Sequence, residues 1–207
     1  MSSQKIIGLV LFEGFEVLDV FGPVEAYASP ALNGAFRVLM IGQTPGPVAS
    51  AQGPKSIADM SFDDCPGVDV LVVPGGIGTR REVDNSALLS WLRVRAETAE
   101  LVSSVCTGAA LLARAGLLDG RRATTNKRAF DWVESQGPRV KWIREARWVE
   151  DGKFVTSAGV SAGIDMALGL IARMHTTESA EKVAIQMVYQ WHRDATRDPF
   201  ANVKPIR

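Results

Sequence analysis

Apolar residues along the chain gather in short runs of strand length, separated by longer stretches with helical spacing. Lys5 to Phe12 is a continuous apolar run of the kind buried on both faces of a parallel sheet. Glu13-Gly14-Phe15 makes a turn, and a helix is predicted from about Glu16 to Ala28, interrupted or bent at Gly22-Pro23 because proline cannot continue an interior ladder. Phe36 to Ile41 is a second strand. After the turn residues Thr44-Pro45-Gly46-Pro47, Val48 to Met60 reads as short strands or a hairpin. Val68 to Val73 is the clearest strand, and Ser86 to Ala99 is an amphipathic helix. That helix turns Leu88, Leu89, Leu92 and either Val94 or Ala96 inward, with Arg93 and Glu97 outward.

Leu101 to Val105 is a β-branched, largely apolar run, followed almost without a loop by the helix former Ala109 to Ala113, which stops at Gly116. Ala123-Thr124-Thr125 is a strand end, and Lys127 to Gln136 a helix closed by Gly137-Pro138. Val140 to Ile143 and Arg147 to Glu150 alternate like strands. Asp151-Gly152 reads as the two-residue turn into a strand over Lys153 to Ala158, closing on Gly159. Val160 to Met174 is a nearly uncharged helix, apolar enough for the core or a subunit contact. Thr177 to about Tyr189 is the last helix, with Thr176 or Thr177 as N-cap and Glu178 and Glu181 in its first turn. From Arg193 a polar tail containing Pro199 and Pro205 is expected to drape over the surface. The alternation predicts an α/β fold: one doubly wound, mostly parallel sheet flanked by helices, in a single domain over 1–207.

Ligands of such sheets bind beyond the carboxyl ends of the strands, where two segments carry chemistry. Pro74-Gly75-Gly76-Ile77-Gly78 is a glycine-rich loop after the strand ending at Val73. It lacks the Gly-Lys-Ser/Thr of a phosphate loop. Its glycines would let backbone N–H groups approach a bound oxyanion, unless the segment is simply a tight turn. Cys106 falls where a strand turns directly into a helix, a strained position that presents its sulfur to a crevice and to the first N–H groups of that helix. Those donors and the helix dipole favour a thiolate. The competing reading is a buried cysteine packed as a small hydrophobe.

Composition narrows the functions. Lys+Arg and Asp+Glu are 23 each, a formal net charge of zero that offers no electrostatic hold on nucleic acid or an anionic membrane. No apolar run approaches the ~20 residues needed to span a bilayer. The start, Met1-Ser2-Ser3-Gln4-Lys5, has no signal-peptide pattern, so a cytoplasmic protein with free thiols is expected. The 2 cysteines and 2 histidines have no metal-ligand spacing, and no metal or other cofactor is expected. Cys65 lies in Asp63-Asp64-Cys65-Pro66, among acids that would raise its pKa, and reads as structural.

Leu18-Asp19-Val20-Phe21-Gly22-Pro23, Val73-Pro74-Gly75-Gly76 and Ser104-Val105-Cys106-Thr107-Gly108 together resemble the ThiJ/PfpI superfamily. Its fold is flavodoxin-like, as in class I glutamine amidotransferases. Ala123-Thr124-Thr125, Gly159 to Asp165 and Asp198-Pro199-Phe200 fit the same pattern, so the resemblance covers nearly the whole chain. The first and third segments most resemble isonitrile (isocyanide) hydratases, and also the amidase-like sensor domains of AraC-type regulators. The regulator resemblance is the weaker, since no helix-turn-helix module follows.

The resemblance implies that Cys106 is the nucleophile and Asp19 the acid beside it, with Glu16 a competitor for that role. It implies an oxyanion or anion pocket at Gly75, Gly76 and Thr107, the Thr107 hydroxyl contributing as well, and a homodimer. Ile77, Asn126 and Val160 are expected to border the substrate. Two departures stand out. Thr107 and Asn126 occupy places where related branches carry histidine, and His175 and His192 come late in helical or helix-end contexts. The expected activity is therefore hydration of isonitriles to N-substituted formamides through a thioimidate-like adduct on Cys106, with protonated Asp19 as acid. The alternatives are a redox- or small-molecule-sensing homodimer without turnover, and a glyoxalase- or deglycase-type activity on 2-oxoaldehydes, which the missing histidines weaken. The expected partner is a small-molecule substrate, with neither nucleic acid nor membrane.

Overall fold

The structure is a computed structural model that describes residues 4–203. The start Met1-Ser2-Ser3 and the tail residue Pro205 lie outside the described residues. Six strands form the central sheet in the order β2-β1-β5-β6-β10-β9. Pairing is parallel from β2 through β10 and antiparallel only at the β9 edge. The elements follow in chain order. They are β1 (Lys5–Val10), α1 (Val17–Tyr27), β2 (Phe36–Ile41), the hairpin β3 (Gly46–Ala49) and β4 (Lys55–Ala58), and β5 (Val70–Val73). Next come α2 (Thr79–Glu82), α3 (Ser86–Thr98), β6 (Leu101–Ser104), α4 (Gly108–Arg114), β7 (Arg122–Ala123) and α5 (Phe130–Gln136). The chain closes with β8 (Lys141–Trp142), β9 (Trp148–Asp151), β10 (Phe154–Ser157), α6 (Ala162–Met174) and α7 (Thr177–Gln186).

The middle strands are apolar because both faces are covered. All four residues of β5 and of β6 are buried. Helices α1, α6 and α7 pack together as one group, and α2, α3 and α5 each pack against α4. Leu111 and Leu112 of α4 are fully buried, each worth about 1.5–3 kcal/mol. In α3, Ala96 rather than Val94 faces the core, together with Trp91. The apolar helix α6 is core: it lies against α1 and α7, and Asp165 is buried within it. No helix among the described residues is long and apolar enough to cross a membrane.

Several expectations needed correction. Helix α1 runs through Gly22-Pro23 as one element instead of breaking there. A Cβ on Gly22 would stand 2.7 Å from Ile164 Cγ1, so this glycine serves close packing of α1 on α6. The β9–β10 turn is shifted by one residue: Asp151 pairs with Phe154, leaving Gly152-Lys153 at the tip with Gly152 at φ 64°. The helix expected over Lys127 to Gln136 begins as a 3-10 turn, Lys127–Ala129, before α5. Of the two candidate caps for α7, Thr176 is the one, its side chain accepting the Ser179 N–H.

The tail does not simply drape. The Ala195 carbonyl accepts the N–H groups of Arg147 and Trp148. Asp198 is buried, 3.5 Å from the Arg147 guanidinium and 3.8 Å from Lys127 Nζ. Arg147 also donates to Asp165 on α6 at 2.7 Å. Three unlike segments are thus tied by buried charge, which is tolerable only because each charged group has an opposite partner.

Candidate active site

Strand order reverses between β1 and β5, and the loops leaving these two strands touch through their backbones. Glu16 N–H donates to the Gly75 carbonyl at 2.9 Å, and Gly78 N–H to the Gly14 carbonyl at 3.0 Å. A Cβ at Gly76, where φ is 119°, would lie 2.3 Å from the Gly14 carbonyl oxygen. Glycine is therefore required there for both conformation and space.

Next to this crossing, β6 delivers Cys106 in the left-handed region at φ 56°. For a residue with a side chain that conformation costs about 1–3 kcal/mol and persists only when its surroundings enforce it. Three hydrogen bonds do so. Cys106 N–H donates to the Ala158 carbonyl at 2.9 Å, Thr125 Oγ1 donates to the Cys106 carbonyl at 2.7 Å, and Gly108 N–H donates to the Val105 carbonyl at 3.0 Å. A Cβ on Gly108 would meet the Val73 carbonyl at 2.2 Å, so glycine also lets α4 start against the end of β5.

Asp19, in the first turn of α1, is fully buried. Its Oδ2 accepts the Gly75 N–H at 2.8 Å, while Oδ1 has no hydrogen-bond partner among the described residues. Burial pushes the Asp19 carboxyl up to about 8; the Gly75 N–H pulls it back, the Glu16 charge adds to the rise, and the Cys106 side chain pulls it back again. Glu16 stands half-buried beside this pair and bonds to Gln52 Nε2 at 2.8 Å. The carboxylate that meets the elbow is Asp19.

The helix N-terminus is opposed here as a source of a thiolate. Burial, foremost, and then the Asp19 charge push the Cys106 thiol well above its ordinary range; the Thr107 N–H and the Asn126 amide only partly offset this. Helix α4 has just seven residues, and Cys106 is only 7% exposed. Desolvation therefore wins over the dipole. Burial thus disfavours charge on both members of the pair.

The loop glycines are also more committed than an open oxyanion hole would need. Gly75 N–H is engaged by Asp19, and Gly76 N–H donates to Thr107 Oγ1 at 3.1 Å. Thr107 is a hub: its hydroxyl is also 3.1 Å from the Thr79 hydroxyl, which donates to the Gly76 carbonyl at 2.7 Å. Asn126 Nδ2 donates to Cys106 Sγ at 3.1 Å. Ile77 is exposed over Gly14, and Val160 is half-buried at φ 43°. His175 and His192 bond locally, to Ser179 Oγ and the Arg197 carbonyl. Cys65 is a free thiol facing the Pro66 carbonyl. Among the described residues no group of three or more histidine, cysteine or carboxylate side chains could hold a metal ion. Sequence reasoning missed Thr79, Gln52 and Ala158, whose parts arise from backbone carbonyls and long-range pairs that no local motif announces.

Comparison with known proteins agrees with this architecture. Residues 5–173 match the DJ-1/PfpI family. An isonitrile hydratase of Pseudomonas putida is 36% identical over 200 residues, covering 96% of this chain and 82% of that protein. The HTH-type transcriptional regulator CdhR of Pseudomonas aeruginosa is 33% identical over 181 residues, covering 86% of this chain but only 53% of the regulator. A ThiJ/PfpI family protein of Pseudomonas syringae superposes with a TM-score of 0.83 at 29% identity, covering 91% of this chain and 76% of that one.

Proposed function

The chain belongs to the DJ-1/PfpI family, and we propose that it is a cytoplasmic, cysteine-dependent hydratase that adds water to isonitriles to give N-substituted formamides. The observation that carries this reading is the buried Asp19 carboxyl, held by the Gly75 N–H through one oxygen and close enough to the Cys106 side chain for each to shift the other's pKa.

An isonitrile carbon is both weakly basic and, once protonated, strongly electrophilic. The neutral Asp19 carboxyl gives its proton to that carbon, making a nitrilium. Cys106 Sγ bonds to the carbon, and the thiol proton passes to the Asp19 carboxylate, regenerating the acid. No preformed thiolate is needed, which suits the raised pKa of Cys106. The adduct is a thioimidate. Water adds to its carbon; the C–S bond then breaks, the nitrogen keeps one proton, and the thiol is restored as the formamide leaves. Thr107 serves as the neighbour that fixes the Gly75-Gly76 loop against Asp19. The enzyme is expected to work as a homodimer, for which Leu18 and Phe21 on the outer side of α1 offer exposed apolar surface.

Turnover of an aryl isonitrile, with the product identified by mass spectrometry and Cys106→Ala as the blank, tests the scheme. A ligand-sensing role without turnover is favoured by one observation, the 33% identity to a transcriptional regulator. It predicts binding, or selective peroxide oxidation of Cys106, with no formamide.

A further inference from the structure

Asn126 stands at the start of a turn, and both ends of its amide are engaged. Oδ1 accepts the Arg128 N–H at 2.9 Å and the Ala129 N–H at 3.2 Å, capping the 3-10 turn Lys127–Ala129. The carbonyl end is thereby consumed, and the NH2 end has to face Cys106 Sγ, at 3.1 Å. Space for it comes from Gly159, where a Cβ would stand 2.3 Å from Nδ2 and 3.3 Å from Cγ of Asn126. Gly159 does not lie in the left-handed region, so the backbone there does not demand glycine. The two residues also adjoin the groups that fix the elbow, Thr125 Oγ1 and the Ala158 carbonyl.

We infer that Asn126 is a catalytic residue whose amide N–H carries the charge that comes and goes on Cys106 Sγ, and that Gly159 is the positioning residue that keeps the amide there. This rests on Cys106 being the nucleophile. When the thioimidate is hydrolysed, the C–S bonding pair returns to sulfur, which is briefly anionic until Asp19 returns its proton. A donor at Sγ stabilises that charge, and donors to charged atoms are the strong ones. An amide neither accepts nor releases a proton in the working range, so it does not compete with Asp19 for the one that must move. A histidine in this place would.

The test measures the pH dependence of Cys106 alkylation by iodoacetamide in the full chain, mapped by peptide mass so that Cys65 is scored separately, beside isonitrile turnover. Asn126→Ser and Asn126→Asp keep a capping oxygen but lose the donor; Gly159→Ala keeps both partners and displaces the amide. At any one pH the Cys106 alkylation rate is expected to fall about tenfold in Asn126→Ser and Gly159→Ala and by more in Asn126→Asp, with kcat falling and KM little changed. Folded Asn126→Ser and Gly159→Ala proteins with a wild-type alkylation profile would overturn the inference. The alkylation arm judges Asn126 whether or not formamide forms; failure of the hydratase reading is separately visible as no formamide from the wild type, and failure of the nucleophile assignment as turnover by Cys106→Ala.

Discussion

Asp19 accepts the Gly75 N–H at 2.8 Å through one carboxyl oxygen, and the same buried carboxyl adjoins Cys106, whose backbone stands in the left-handed region at φ 56°. A fully buried carboxylate with one hydrogen bond is poorly compensated, and holding a proton is its cheapest remedy.

With its pKa at about 8, Asp19 is protonated at neutral pH and loses its proton above that value. Turnover is therefore expected to hold below pH 8 and decline above it. Asp19→Asn is expected to lower kcat by about 10²–10⁴-fold, the range of a general acid. Steady-state rates of both proteins across pH 5 to 10 check this.

The same carboxyl links stability to pH. Its folded pKa lies above its unfolded one, so between about 4 and about 8 the native state binds the extra proton. Asp19 therefore destabilises the fold increasingly as pH rises through that window. In denaturant melts, Asp19→Asn is expected to gain on the wild type between pH 4 and pH 8, then run parallel to it.

At Gly75, an added Cβ would lie 2.5 Å from the Thr107 backbone N and 2.8 Å from Cys106 Cβ. A backbone nitrogen on one side and the root of the Cys106 side chain on the other leave no cheap relief. Gly75→Ala is expected to displace the loop from the elbow and abolish turnover. The fold should lose about 1–3 kcal/mol, the range for overpacking, measurable by urea melts.

Thr107 tests whether its hydroxyl matters as a hub. Thr107→Val keeps the shape but leaves the Gly76 N–H without its acceptor, at a cost of about 1–3 kcal/mol. Thr107→Ser is expected to recover most of that in the same urea melts, because the acceptor returns.

Asp198 predicts a stability effect remote from the chemistry. Asp198→Ala would leave Lys127 buried beside Arg147 without the tail carboxylate, costing about 3–5 kcal/mol near pH 7. Burial lowers the Lys127 pKa to about 8, and Asp198 is the main group opposing that fall. The defect is expected to shrink above pH 8, where Lys127 gives up its charge, as thermal melts at pH 7 and 9 would register.

How much of this was legible in the sequence differs by residue. The runs Val68 to Val73 and Leu101 to Val105 announced buried parallel strands, observed over Val70–Val73 and Leu101–Ser104, because composition and burial coincide there. The Cys106 elbow was legible because a strand former and a helix former meet with no loop between them, and the structure answers with φ 56°. The protonation state was not legible. Local reasoning weighed the helix N-terminus, whereas the deciding quantity is burial by segments far apart in sequence. The tail failed for a similar reason: a polar stretch reads as solvent-facing until Arg147 and Lys127 are seen waiting beneath it. Choosing Asp19 over Glu16 likewise needed the Gly75 loop in place.

The covalent role of Cys106 is tested most directly by incubating the wild type and Cys106→Ala with an aryl isonitrile and quantifying the N-aryl formamide by mass spectrometry. Formamide from the wild type and none above the buffer rate from Cys106→Ala is the expected result. Formamide from Cys106→Ala at the wild-type rate would contradict it.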